Sequence, residues 1–301
     1  MQKRNVLLFF MLLWMAGPPS AHAQREVLYS QYWGNPLTIN PAYTGVRGPL
    51  TMTAIFRRKF FGVQGMPITQ SLGIDGATAG GRLGIGFQAL NDRMSAYSNT
   101  GVYGSLAYHH TLANGAKLSI GGSGGINVLP VFDSGSRLAF NRALPSAGIG
   151  VHYEDNRFWA GISMPEIIRQ PLVLGSGQTS LPYNRPLYVH AGAKLIVSDD
   201  LAVLPSVLLA QQRGFPLGAD VNAKIWLWQK LGVGVSIRMK NSSYISIQDY
   251  FMALAEYQLS PTIRVGYTYS SRTVENPFLV QQSVSELTFR YTPSPGDFSY
   301  R

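Results

Sequence analysis

No cysteine occurs in the 301 residues. That excludes a disulfide framework, a thiolate metal site and a lipid anchor on a cysteine behind an export signal. Charge is scarce: Asp, Glu, Lys and Arg supply 13% of the chain, about half the share of an ordinary soluble domain. Long apolar runs are missing as well. The longest, Val6 to Ala16, has 11 residues, short of the roughly 18–20 that a membrane helix needs. Against these absences stand 32 glycines, 12% aromatic residues and a mean hydropathy of +0.03. A membrane-like composition without a membrane helix points to strands, which show lipid only one side chain in two and never register as long apolar runs.

The N-terminus reads as a secretory signal, residues 1–23. Lys3 and Arg4 form a basic head before the apolar run. Gly17, Pro18 and Pro19 break that run, and Ala21-His22-Ala23 supplies small residues around a cleavage point. Removing the segment lowers the formal charge from +10 to +8. The expectation is export by the Sec route with cleavage after Ala23. The remaining chain divides into a signature segment (24–50), a strand-rich body (51–292) and a C-terminal tail (293–301).

Through the body, apolar and polar residues alternate with period two. In Leu231 to Lys240, Leu231, Val233, Val235, Ile237 and Met239 share one face, and Gly232, Gly234, Ser236, Arg238 and Lys240 the other. A helix would scatter those charges round its surface; a strand keeps them on one side. About fourteen such runs are legible. They lie near 51–58, 67–77, 82–91, 97–111, 115–128, 146–154, 157–164, 187–197, 201–211, 217–228, 231–240, 243–257, 261–271 and 283–292. Strands of roughly ten residues match a tilted bilayer crossing.

The links carry independent information. Every second one is short: TAGG, ANG, DN, SDD, QK and LS. Leu129–Pro145, Pro165–Pro186 and Arg272–Gln282 are long. Short turns on one rim and long loops on the other define an all-β, antiparallel transmembrane barrel of the outer membrane, with short turns and both termini on the periplasmic side. The polar phase predicts a lumen-facing set that includes His152, Glu154, Lys194, Lys224, Arg238, Arg264, Glu286 and Arg290. Basic residues dominate it. Two readings are open, an anion-selective interior and a filling of paired or solvated charges. Glycines on the polar face, among them Gly84, Gly86, Gly121, Gly148, Gly150, Gly232 and Gly234, leave room for a plug or permit curvature.

Catalytic patterns are thin. His152 and Glu154 point the same way from one strand, yet no third ligand follows at metal-site spacing. No G-x-S-x-G elbow lies between a strand and a helix. A Ser105–His109 pair keeps an outer-membrane hydrolase in view, to be tested at His109 and His110. FRRKFFG at 56–62 mixes bases and aromatics, and in an exported chain reads as a strand end at the membrane surface rather than a nucleic-acid site. Trp33, Trp159, Trp226 and Trp228 suit interfacial belts or the N-terminal segment. No cofactor, metal or catalytic role is expected.

Between the signal and the first strand stands YSQYWGNPLTINPAYTG. Its Gln31, Tyr32, Trp33, Asn35, Pro36, Asn40, Pro41, Ala42, Tyr43 and Gly45 resemble the opening signature of the PorP/SprF family of type IX secretion proteins of gliding and pathogenic Bacteroidetes. Further blocks resemble that family: Arg57-Arg58-Lys59-Phe60-Phe61 followed by Gly65-Met66-Pro67-Ile68-Thr69, then Leu83 to Phe87 with Asn91-Asp92, then Gly104 to His110, and Ser285 to Phe289 near the end. A tryptophan often found near Phe61 is absent. The resemblance implies a non-catalytic outer-membrane barrel acting in export or surface attachment of adhesin-type cargo. Its implied partners are secretion-machinery components, the cargo and outer-membrane lipid, with no nucleic acid. A small-solute porin is the alternative. Each Asn-Pro step holds the Asn extended and removes a backbone donor, so the signature is a stiff, low-entropy segment. It is expected either to lie in the periplasm or to plug the lumen, docking partners or simply anchoring the first strand.

Overall fold

The computed structural model describes residues 32, 34–59, 67–78, 80–94, 97–133, 138–168, 186–212, 217–240, 250–272, 282–294, 298 and 300. Two short 3-10 turns (Pro36–Thr38 and Pro41–Tyr43) precede the strands. The strands are β1 (Thr51–Lys59), β2 (Ile68–Ala77), β3 (Leu83–Met94), β4 (Tyr97–Thr111), β5 (Lys117–Asp133), β6 (Leu138–Glu154), β7 (Phe158–Met164), β8 (Leu187–Ala193), β9 (Leu195–Ser198), β10 (Leu201–Gln211), β11 (Gly218–Leu227), β12 (Leu231–Lys240), β13 (Tyr250–Ser260), β14 (Ile263–Arg272) and β15 (Gln282–Tyr291). β8 and β9 are one stave interrupted at Lys194, since both pair with β10. The result is a closed, antiparallel, 14-stave barrel.

Neighbours in sequence pair as hairpins, and β1 pairs with β15, Met52 opposite Tyr291. That pairing closes the sheet on itself, and backbone groups along the ladders are satisfied without solvent, as hydrocarbon requires. Among the described residues no helix is long and apolar enough to cross a membrane. The side-chain phase is inside-out relative to a soluble protein. On β12, Val233, Val235, Ile237 and Met239 are 38%, 47%, 46% and 41% exposed, while Ser236 and Arg238 between them are 4% and 3%. The same phase recurs on β15, where Leu287 and Phe289 are exposed and Glu286 and Arg290 buried.

The short turns gather at one rim, where β1 begins and β15 ends. In an outer-membrane barrel that rim is periplasmic. Three expectations are corrected. Residues 129–145 are not a loop throughout, because β5 and β6 extend their ladder to Asp133 opposite Leu138. Each residue of those strand extensions gains a ladder partner that a free loop lacks. Leu259 and Ser260 are strand rather than turn. The turn is Pro261–Thr262, where a proline without an N–H costs the ladder nothing. Trp159 and Trp226 do not sit in outer belts. Both rings point inward, where glycines make room for them: a Cβ on Gly192 would lie 2.1 Å from Trp159, and one on Gly232 3.0 Å from Trp226. Trp228, in the turn after β11, is exposed. The expected strand near 243–257 is described from Tyr250, and residues 241–249 lie outside the described set.

Candidate functional site

The signature segment threads the barrel interior. Both Asn-Pro steps open a 3-10 turn with Pro at its first position, where the missing N–H has no partner to lose. Asn40 is extended (φ −146°, ψ 113°), as a residue before proline must be, and its Oδ1 caps the turn by accepting from the Ala42 amide at 2.9 Å. Asn35 makes no such side-chain cap. Its carbonyl instead accepts from the Thr38 amide (3.2 Å) and hydroxyl (2.8 Å). Gly45 then reverses the chain at φ +78°, a region that favours glycine.

Each turn is tied to the wall by name. Asn40 Nδ2 donates to the Val151 carbonyl on β6 (3.0 Å), and the Ser163 hydroxyl on β7 donates to the Ile39 carbonyl (2.6 Å). On β4, His109 Nε2 donates to the Thr44 carbonyl (2.9 Å), and Ser105 Oγ bonds Thr44 Oγ1 (2.8 Å). The Gly45 amide donates to Asp75 Oδ2 on β2 (2.8 Å). On the far side, Asn222 Nδ2 of β11 donates to the Tyr32 hydroxyl (2.8 Å) and Arg290 Nη2 of β15 to the Gly34 carbonyl (3.0 Å). Apolar contact adds to these bonds. Tyr32 and Ile39 pack with Tyr188 and Leu208 in one buried cluster, and burying a side chain such as Ile39 is worth about 1.5–3 kcal/mol. Tyr43 stacks on His152 with ring centres 4.0 Å apart.

The wall is cut back where the segment crosses it. A Cβ on Gly121 would lie 2.6 Å from the Ala42 backbone, and one on Gly150 2.0 Å from Asn40 Oδ1. No side chain fits at either position while the segment is in place.

Of the predicted signature residues, Tyr32, Asn35, Pro36, Asn40, Pro41, Ala42, Tyr43 and Gly45 are all buried here. Gln31 and Trp33 lie outside the described residues. The described part of residues 24–50 therefore fills the lumen. A cavity of about 50 Å³ remains beside it, lined in part by Tyr32, Tyr43, Trp159, His190 and Lys224.

The predicted lumen set sits on the remaining wall. His152, Lys224, Arg238, Arg264, Glu286 and Arg290 are buried, and Glu154 and Lys194 half-buried. Most of these charges face an opposite one. Arg238 grips Asp220 through two nitrogens (2.7–3.0 Å). Lys224 Nζ meets Glu256 at 3.2 Å, with Arg264 3.9 Å from the same carboxylate, and Arg57 faces Glu286 at 3.8 Å. His152 Nε2 lies 3.4 Å from Glu154. Among the described residues, five buried Lys/Arg side chains stand against four buried carboxylates, so the sequence excess of base largely vanishes inside.

Sequence reasoning missed Arg57, Asp75 and Glu256. Arg57 and Asp75 lie in the polar phase of their strands; Asp75 shares a face with Thr69, Ser71 and Gly73, so alternation alone could have found it, whereas Glu256 shares its inward face with Met252 and Leu254, which hides it. The Ser105–His109 pair is not a hydrolytic dyad in this arrangement. A carbonyl can only accept, so His109 Nε2 carries the proton toward Thr44, and Nδ1 is held by Ser119 Oγ at 2.7 Å. Ser105 turns to Thr44. His110 is exposed on the outer face. No group of three metal-ligating side chains comes together among the described residues.

The family model of the type IX secretion system membrane protein PorP/SprF matches residues 21–291. A comparison with curated proteins finds no match. Among solved structures, the fold is similar to the Acinetobacter baumannii outer membrane protein Omp33 (TM-score 0.52, 8% identity, 82% of this chain and 99% of that one). It is also similar to the CymD monoaromatic hydrocarbon channel (TM-score 0.53, 12% identity, 86% and 92%). At such identities the likeness is one of fold.

Proposed function

The chain belongs to the PorP/SprF family of type IX secretion system membrane proteins, and from that premise we propose that it is a non-catalytic, plugged barrel that serves export or surface attachment of adhesin-type cargo through protein contacts. The observation that carries this reading is the signature segment itself. It is held by hydrogen bonds from six staves over a wall cleared by glycines. A conduit for solute gains nothing from filling its bore, whereas an adaptor gains a fixed, preorganised surface. Machinery components would meet the periplasmic rim and cargo the long loops, since recognition concentrates on loops over a rigid scaffold. Export through the Sec route with removal of residues 1–23 belongs to the same reading.

The test is deletion of residues 24–48. A barrel that inserts normally but no longer supports adhesin export is the expected result; failure to insert would reduce the segment to an anchor for β1. The second reading, a small-solute porin, is favoured by the fold likeness to a channel barrel. Planar-bilayer recording separates the two: the intact protein should be silent, and steady large channels would favour the porin.

A further inference from the structure

The periplasmic mouth also holds two aromatic side chains from beyond the last strand, Phe298 and Tyr300. Trp226, fully buried on β11, forms a floor with Ala202 and Leu204 of β10. Phe298 meets that indole edge-on, ring centres 5.1 Å apart at 83°, and Tyr300 meets Phe298 edge-on at 4.9 Å and 84°. The Arg264 guanidinium lies 4.5 Å from the Trp226 ring centre and 5.0 Å from that of Phe298, and Lys194 Nζ 5.7 Å from the Tyr300 ring. Trp226 Nε1–H donates to the Tyr300 carbonyl at 2.8 Å. Trp159 packs on the same cluster.

These contacts read a peptide rather than merely cover a surface. Aromatic residues two apart fall on one side of an extended chain. Cations near the rings favour aromatic side chains over aliphatic ones. The indole N–H, bound to a main-chain carbonyl, sets the register. Every reading group belongs to a barrel stave or to the break at Lys194. The group being read lies beyond β15, which ends at Tyr291, so its departure would break no strand pairing.

We propose that this slot is a peptide-binding site for an extended segment carrying aromatic residues at i and i+2, contributed by a periplasmic protein, and that the C-terminal tail occupies it in cis as a competitor. The proposal does not rest on the role given to the signature segment.

The experiment uses the detergent-purified chain, a second chain lacking residues 295–301, and a fluorescent peptide of the tail sequence PGDFSYR. Fluorescence anisotropy should show saturable binding to the truncated barrel, at least about tenfold tighter than to the intact chain. Arg264→Gln in the truncated barrel should weaken it about tenfold, and a peptide with both aromatics replaced by alanine should not bind. A truncated barrel that keeps its heat-modifiable folded band yet ignores the peptide overturns the proposal, as does equal binding of the alanine peptide. If truncation prevents folding, the full-length chain with Phe298→Ala and Tyr300→Ala replaces it and must bind the peptide better than the intact chain does. If that chain also fails to fold, the tail is an assembly element and the proposal falls.

Discussion

The Thr44 carbonyl lies against Gly84 so closely that a Cβ on Gly84 would sit 1.9 Å from its oxygen. Plug and wall therefore meet backbone to backbone on β3. Gly84→Ala must push the segment away, and overpacking of this kind costs about 1–3 kcal/mol, a rise in the undocked population of roughly fivefold to 150-fold. Tryptic cleavage after Arg47 reports that population. It should accelerate in the variant and stay unchanged in Gly104→Ala, whose added methyl meets nothing closer than 4.0 Å. Equal rates in the two would refute the close approach.

His109 donates to the Thr44 carbonyl with no second donor among the described residues, while Thr44 Oγ1 has both Ser105 and the Pro41 carbonyl (2.7 Å). His109→Ala orphans a buried acceptor, at about 1–3 kcal/mol. Ser105→Ala leaves the Thr44 hydroxyl still bonded and should cost less. The order H109A worse than S105A, measured by urea unfolding of the folded barrel, checks the assignment; the reverse order contradicts it.

Asp220 and Arg238 form a buried bidentate pair. Asp220→Ala removes the bidentate carboxylate from a buried guanidinium and should destabilise the barrel by about 3–5 kcal/mol, while the double variant Asp220→Leu with Arg238→Met should recover most of that loss. A double variant no better than the single one would show that the pair does not act as a unit.

Asp155, in the turn between β6 and β7, accepts the amides of Phe158 (2.6 Å) and Arg157 (2.7 Å). These bonds hold its carboxyl below the usual carboxylate range, Phe158 contributing most. A depressed folded value means that the contribution is present above the unfolded value of about 3.9 and lost as pH falls through the folded one. A carbon-detected NMR titration of Asp155 should give a midpoint below that of an unfolded aspartate. A midpoint at or above it would remove the turn's hydrogen bonds from the account.

The staves were legible because period two survives in short windows. Leu231 to Lys240 declares both faces without help from its neighbours. The Asn-Pro pair likewise declared stiffness. Trp159 and Trp226 were misassigned for an equally local reason: alternation says which residues share a face with Trp226, but the rule that places tryptophan at lipid interfaces competes with that phase. Gly232, on the neighbouring stave, decides the matter by leaving space for the ring. The ion pairs were half legible. Their members could be named, yet Lys224 and Glu256 are 32 residues apart, and only the register of β11, β12 and β13 brings them together.

By itself, the sequence determined that these segments are strands, that alternate side chains meet lipid, that the sheet closes on itself, and to which family the chain is similar. The first two follow from alternation within single stretches, the closure from the order of short and long links along the chain, and the likeness from the signature and the blocks after it. Where residues 34–50 go, and what Phe298 and Tyr300 touch, only the tertiary structure decided. A lumen exists only once fourteen staves have closed round it. A segment without a period of its own then takes its place from the bare backbone and buried polar groups that the wall presents.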